Sequence, residues 1–283
     1  AGTWDTGSME KNVAVGTLAM GTGTKNSADQ NVAVGYGALT AITGSDNNVA
    51  VGYNAGYALT SGHSNVVVGA EAADGITTGF GNVAVGQAAL GAGNGGESRN
   101  VAVGYGALAT LNSDTDNYNT AVGYASGNMM TSGHSNTLIG GLSGDAITTG
   151  TGSVAIGKGS LSVNQEGVNN IAIGLDSMGS VKSNEAVTGC IAIGKDALKG
   201  SNSTNTTANY TIAIGYAAGA AITASNHSEE NTLVGNVAGT ALLTGDGNVA
   251  VGALALDAET QGHKSTAIGY AALSAQANGS DVD

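Results

Sequence analysis

Asn12-Val13-Ala14-Val15-Gly16 opens a pattern that returns as Asn31-Val32-Ala33-Val34-Gly35, as Asn48-Val49-Ala50-Val51-Gly52, and onward to Ser265-Thr266-Ala267-Ile268-Gly269. Its glycine falls at Gly16, Gly35, Gly52, Gly69, Gly86, Gly104, Gly123, Gly140, Gly157, Gly174, Gly194, Gly215, Gly235, Gly252 and Gly269, which makes fifteen copies. Eight of the fourteen intervals are 17 residues long and the other six run from 18 to 21. A period of ~18 is too short for a helix pair and too irregular for a heptad, whereas it suits one coil of an all-β parallel solenoid. Seventeen residues at ~3.3 Å each enclose a narrow perimeter, with room for two or three short strands and their turns.

Each column of the repeat carries a physical reading. Val or Ile always precedes the glycine, and Val, Ile or Thr stands two positions earlier, so a β-branched pair shares one face of a strand. Between them is Ala in twelve copies, with Val67, Leu138 and Leu233 in the rest. This reading turns the β-branched pair inward and leaves the small apolar face outside. Such a face is costly to leave wet over fifteen coils and suits a symmetric homo-oligomer. The glycine ends the strand where a positive φ or a close backbone approach excludes a Cβ. Three residues on, Ala or Ser from Ala19 to Ala272 marks a tight interior corner.

Four residues before the glycine stands Asn, at Asn12, Asn31, Asn48, Asn65, Asn82 and six later copies, replaced by Ser153, Cys190, Thr211 and Ser265. Stacked asparagines tolerate turn conformations and can bond amide to amide along the stack as a ladder. The long intervals place their extra residues in the polar stretches 91–99, 112–118 and 201–210, which are expected to bulge as loops. A slower repeat also exists: Thr60-Ser61-Gly62-His63-Ser64-Asn65 returns 71 residues later as Thr131-Ser132-Gly133-His134-Ser135-Asn136. Residues 12–273 therefore read as one solenoid domain. Residues 1–11, with Trp4, read as a cap or assembly segment, and 274–283, with Asp281 and Asp283, as an acidic tail.

Composition narrows the function classes. The 283 residues include 48 Gly, no Pro, one Trp and one Phe, which argues against a globular core of large side chains and against collagen. Only 10% are charged and mean hydropathy is +0.07, which argues against disorder. Net charge is −13 with scattered basic residues, so neither nucleic acid nor an anionic membrane surface is an expected partner. The longest apolar run, Ile212 to Ile222, contains two glycines and falls short of a membrane span, so no membrane insertion is expected. The lone Cys190 excludes an intrachain disulfide.

The runs Ser153-Val154-Ala155-Ile156-Gly157, Asn170-Ile171-Ala172-Ile173-Gly174 and Thr266-Ala267-Ile268-Gly269 resemble the head repeat of YadA-like trimeric autotransporter adhesins. Asn119 to Tyr124 is similar to repeats in phage tail fibres and related virion appendages. The resemblance covers residues 12–273 and implies a left-handed parallel β-roll, three of which associate around a common axis. The coil here is longer than that family's, and no neck, heptad stalk or anchor is recognisable within these residues.

Six of nine tyrosines directly follow the repeat glycine: Tyr36, Tyr53, Tyr105, Tyr124, Tyr216 and Tyr270. They read as a packing ladder, or alternatively as a strip for a host-surface glycan or protein. His63, His134 and His263 each lie six residues before a repeat glycine and could meet a metal only as rings on a three-fold axis; solvated turn histidines are the plainer reading, as for His227. Asp114-Thr115-Asp116 lacks the further ligands of a calcium loop. Asn202, Asn205, Asn209, Asn226 and Asn278 satisfy the glycosylation triplet in a chain rich in Asn and Thr, where chance matches are common. Cys190 sits in the asparagine column and lacks the positioned base of a nucleophile. No enzyme chemistry and no cofactor are expected. The sequence points to a structural or adhesive fibre module, extracellular or on a virion, self-associating as a homotrimer. The alternatives are a head-to-tail filament subunit and a glycan-binding module using the tyrosine column.

Overall fold

Alternation at the repeat motif produces one strand of three residues per coil. The computed structural model describes residues 11–21, 27–93, 95–181, 187–200, 208–222 and 228–275. Trp4, Lys182 to Ala186, Ser201 to Thr207, His227, Asn226, Asn278, Asp281 and Asp283 lie outside the described residues. The chain divides into two compact units, Ala1–Asn136 and Thr137–Asp283.

In the first unit the strands are β1 (Val13–Val15), β2 (Val32–Val34), β3 (Val49–Val51), β4 (Val66–Val68), β5 (Val83–Val85), β6 (Val101–Val103) and β7 (Thr120–Val122). Each pairs with the next in parallel and in register, Val13 on Val32, Ala14 on Ala33, and so on to Val101 on Thr120. The second unit repeats this arrangement with β8 (Thr137–Ile139), β9 (Val154–Ile156), β10 (Ile171–Ile173), β11 (Ile191–Ile193), β12 (Ile212–Ile214), β13 (Thr232–Val234), β14 (Val249–Val251) and β15 (Thr266–Ile268). The fold is an all-β parallel β-solenoid, with no helix among the described residues. Each coil holds one strand rather than two or three; the rest is turn, with isolated parallel bridges at Ser98–Asp116, Thr151–Val168 and Val168–Thr188.

The faces of the strand are reversed relative to the sequence reading. Ala33, Ala50, Ala84, Ala102, Ala121, Ala155 and their counterparts are fully buried, while the β-branched residues on either side are half-buried or exposed. The reason is the width of the coil. Its interior is already occupied by the residue four after the glycine (Met20, Leu39, Leu90, Leu108, Leu161, Met178, Leu198, Leu256) and by the residue seven after it (Ile42, Leu59, Ile76, Leu111, Met130, Ile147, Ile222, Leu242). Opposite such side chains only a methyl fits. The exceptions follow the same volume rule: Leu138 faces Gly144, where a Cβ would lie 2.8 Å from its Cδ2, and Leu233 faces Gly219 and Gly239 in the same way. A large strand residue is admitted where the facing position is glycine.

The turn that follows each strand alternates negative and positive φ. Positive φ recurs two and four residues after the glycine, as at Asn54 and Leu39, and five before it, as at Asn47. The alternation points successive N–H groups up and down the stack: Gly37 donates to the Thr17 carbonyl of one neighbouring coil at 3.0 Å, and Leu39 to the Ala55 carbonyl of the other at 3.1 Å. Holding leucine in the left-handed region costs ~1–2 kcal/mol, and burying its side chain returns about 1.5–3 kcal/mol.

Candidate functional site

The repeat glycine is held by two constraints at once. In the described copies φ is about +126° to +146°, and a Cβ on Gly16 would lie 2.5 Å from the carbonyl oxygen of Gly35. The same approach joins Gly35 to Gly52, Gly52 to Gly69, Gly69 to Gly86, Gly86 to Gly104 and Gly104 to Gly123. In the second unit it joins Gly140 to Gly157, Gly174, Gly194, Gly215, Gly235, Gly252 and Gly269 in turn. At Gly269 the stack ends and a Cβ would meet nothing within 4 Å.

Beside it runs the asparagine ladder. Asn48 Oδ1 accepts both the backbone N–H (3.0 Å) and the side-chain Nδ2–H (3.1 Å) of Asn65, and Asn65 Oδ1 does the same for Asn82. Each amide nitrogen also donates within the fold, Asn48 to the Gly62 carbonyl at 3.0 Å and Asn65 to Gly79 at 2.9 Å. Asn12 Oδ1 starts the ladder by accepting the Asn31 N–H at 2.7 Å. Cys190 occupies a rung, with its thiol donating to the Ala208 carbonyl at 2.8 Å; burial pushes that thiol up to about 12 and leaves it a neutral hydrogen-bonding group.

A second side-chain ladder went unread in the sequence. Six residues before the glycine, Asp46 accepts the N–H of Asp29, Ser98 that of Phe80, Asn209 that of Thr188, Asp246 that of Glu229 and His263 that of Asp246. The signal was present as a column rich in Asp, Asn, Ser and His, all short acceptors suited to turns. His63 and His134 belong to it: His63 stacks on Phe80 with centroids 5.0 Å apart, and His134 Nδ1 lies 3.3 Å from Ser135 Oγ. Neither is placed with another histidine. No group of three or more His, Cys, Asp or Glu able to hold a metal ion occurs among the described residues. Asn209 is engaged through both amide atoms, the nitrogen donating to Glu229 at 3.0 Å. Asp114 and Asp116 part in function, one accepting from the Gly96 N–H at 3.1 Å and the other pairing with Arg99.

What remains for contact with another molecule is the outside of the strands and the column after the glycine. Val13, Val15, Val51, Val66, Ile139 and Ile268 are more than a third exposed, as are all six column tyrosines. Tyr36 stacks on Tyr53 and Tyr105 on Tyr124, each pair with centroids 5.5 Å apart and planes 11° from parallel. The facing ring surfaces therefore cover each other and are closed to a sugar. Tyr216 carries the Lys195 ammonium 5.2 Å above its ring. The outward columns of the first unit hold no charged residue; those of the second contain Lys158 and Lys195.

Set against known protein families and curated proteins, the chain matches none. No helix is long and apolar enough to cross a membrane among the described residues.

Proposed function

We propose that this chain is a non-enzymatic structural module of an extracellular or virion fibre, a stack of left-handed coils that serves as a rigid spacer and works as a homotrimer. One observation carries the reading: in each unit every coil is tied to the next by the same four devices, the strand ladder, the turn hydrogen bonds, the glycine approach and the asparagine amides. Such repetition makes stability a sum of neighbour terms, which suits a load carried along the stack. The chemistry visible in the columns is spent on holding coils together.

Electron microscopy of producing cells and virions with gold-labelled antibody against the chain tests the location. Label along surface appendages is the expected result, and label confined to the cell interior overturns it. Light scattering of the purified chain tests the assembly. A mass of three times 27.2 kDa that does not change with concentration supports the trimer. Open-ended growth would replace it with a head-to-tail filament.

A further inference from the structure

We infer that the outward strand face of the first unit, with its tyrosine column, is the surface on which a second copy of this chain docks; the inference rests on the structural-module reading above. Three columns, at three and one residues before the glycine and one after it, point away from the buried alanines. In the first unit they hold thirteen valines and one threonine from the strands and, after the glycine, Thr17, Tyr36, Tyr53, Ala70, Gln87, Tyr105 and Tyr124. None of these is charged, in a chain of net charge −13. Depletion of charge at the centre of a patch, with aromatic residues retained, is the compositional mark of a protein interface.

The area is sufficient. Fourteen part-exposed β-branched residues and four half-exposed tyrosines offer roughly 1,000 Å², against about 800 Å² per partner in a standard stable interface. That is also well beyond the few hundred Å² of contiguous apolar surface usual on a monomer. A second copy is the occupant that the chemistry favours, because it brings the same uncharged, flat and regularly spaced columns and leaves both sets of carboxylates outside the contact. The tyrosines serve as anchors. Their stacking within one chain fixes the rings before association, so little side-chain freedom is lost on docking.

Sedimentation equilibrium of the full chain tests this. Val85→Asp with Val103→Asp places carboxylates on the outward face of β5 and β6 without entering the coil. The multimer is expected to fall to a single-chain mass with the circular dichroism of the folded chain retained. Val85→Thr with Val103→Thr keeps the β-branched shape should the aspartates disturb the coil, and is expected to weaken association about tenfold. Tyr105→Ser with Tyr124→Ser is expected to weaken it by at least as much. A wild-type chain that sediments as a monomer, or folded variants that keep the wild-type mass, overturn the inference. A monomeric chain that still labels surface appendages leaves the structural-module reading standing, whereas a multimeric chain found only inside cells removes that reading and leaves the docking surface.

Discussion

The two units solve the same stacking problem with different materials. In the first the asparagine ladder is unbroken from Asn12 to Asn136; in the second, Ser153, Cys190, Thr211 and Ser265 take four of seven rungs. An asparagine rung such as Asn65 receives two bonds from the coil after it and gives two more. Ser153 brings a single hydroxyl, which accepts the Asn170 N–H at 3.2 Å, and Thr211 Oγ1 reaches the Ser228 carbonyl at 3.3 Å. The second unit also holds the intervals of 20 and 21 residues and the Ile-rich strands. The glycine approach, by contrast, is the same in both. The difference teaches that the glycine column is set by geometry, which no substitution can supply, while the amide column is set by hydrogen bonds, which other groups can partly supply.

The largest effect is expected at the column the units share. Gly104→Ala would drive a methyl into the Gly123 carbonyl and should cost ~3 kcal/mol or more, with Gly174→Ala close behind. Gly269→Ala has open space and only the φ strain to bear, about 1 kcal/mol. Urea unfolding of the three variants would measure this, and equal losses at Gly104 and Gly269 would refute the close-approach account.

Next comes the column that differs. Asn65→Ala should lose about 2–3 kcal/mol, because it leaves the Asn82 backbone N–H buried and unpaired. Ser153→Ala should lose less, about 1 kcal/mol. Ser153→Asn should narrow the difference between the units by up to ~1 kcal/mol, visible as slower amide exchange in the coils around it. Exchange that slows nowhere near Asn170 would show that the amide rung is not what separates them.

The smallest effect is electrostatic. Burial raises the Asp74 carboxyl in the first unit and Asp145 in the second above the usual carboxylate range. Each therefore costs stability at neutral pH, and the cost is relieved as pH falls through the raised folded value. Asp196, in the second unit only, is held below that range by hydrogen bonds from Lys195 and Lys199, so its contribution is present above about pH 4 and is lost as pH falls toward its folded value. Asp145→Asn should raise Tm by about 1 °C at pH 7 and less at pH 4, and Asp196→Asn should lower it by no more than that, the pair being part-exposed. Calorimetry at the two pH values checks the signs.

Much of the fold was legible without coordinates. The fifteen-fold motif fixed one parallel strand per coil and its register, because a column of identical residues can stack in only one alignment. The asparagine column was readable because amide ladders need a side chain with both donor and acceptor. The ladder six residues before the glycine was missed, since Asp46, Ser98, Asn209, Asp246 and His263 do the same work with different side chains. Identity was repeated in one column and only function in the other.

What the sequence determined by itself is the periodicity, the strand, and the set of residues that share each strand face. Which face turns inward was decided only by the tertiary structure. Alternation groups Val with Val and leaves Ala alone, but it contains nothing about the width of the space on either side. That width is set by Leu39, Ile42 and their counterparts reaching across a thin coil, so alanine is the residue that fits inside and valine the one left to meet another molecule.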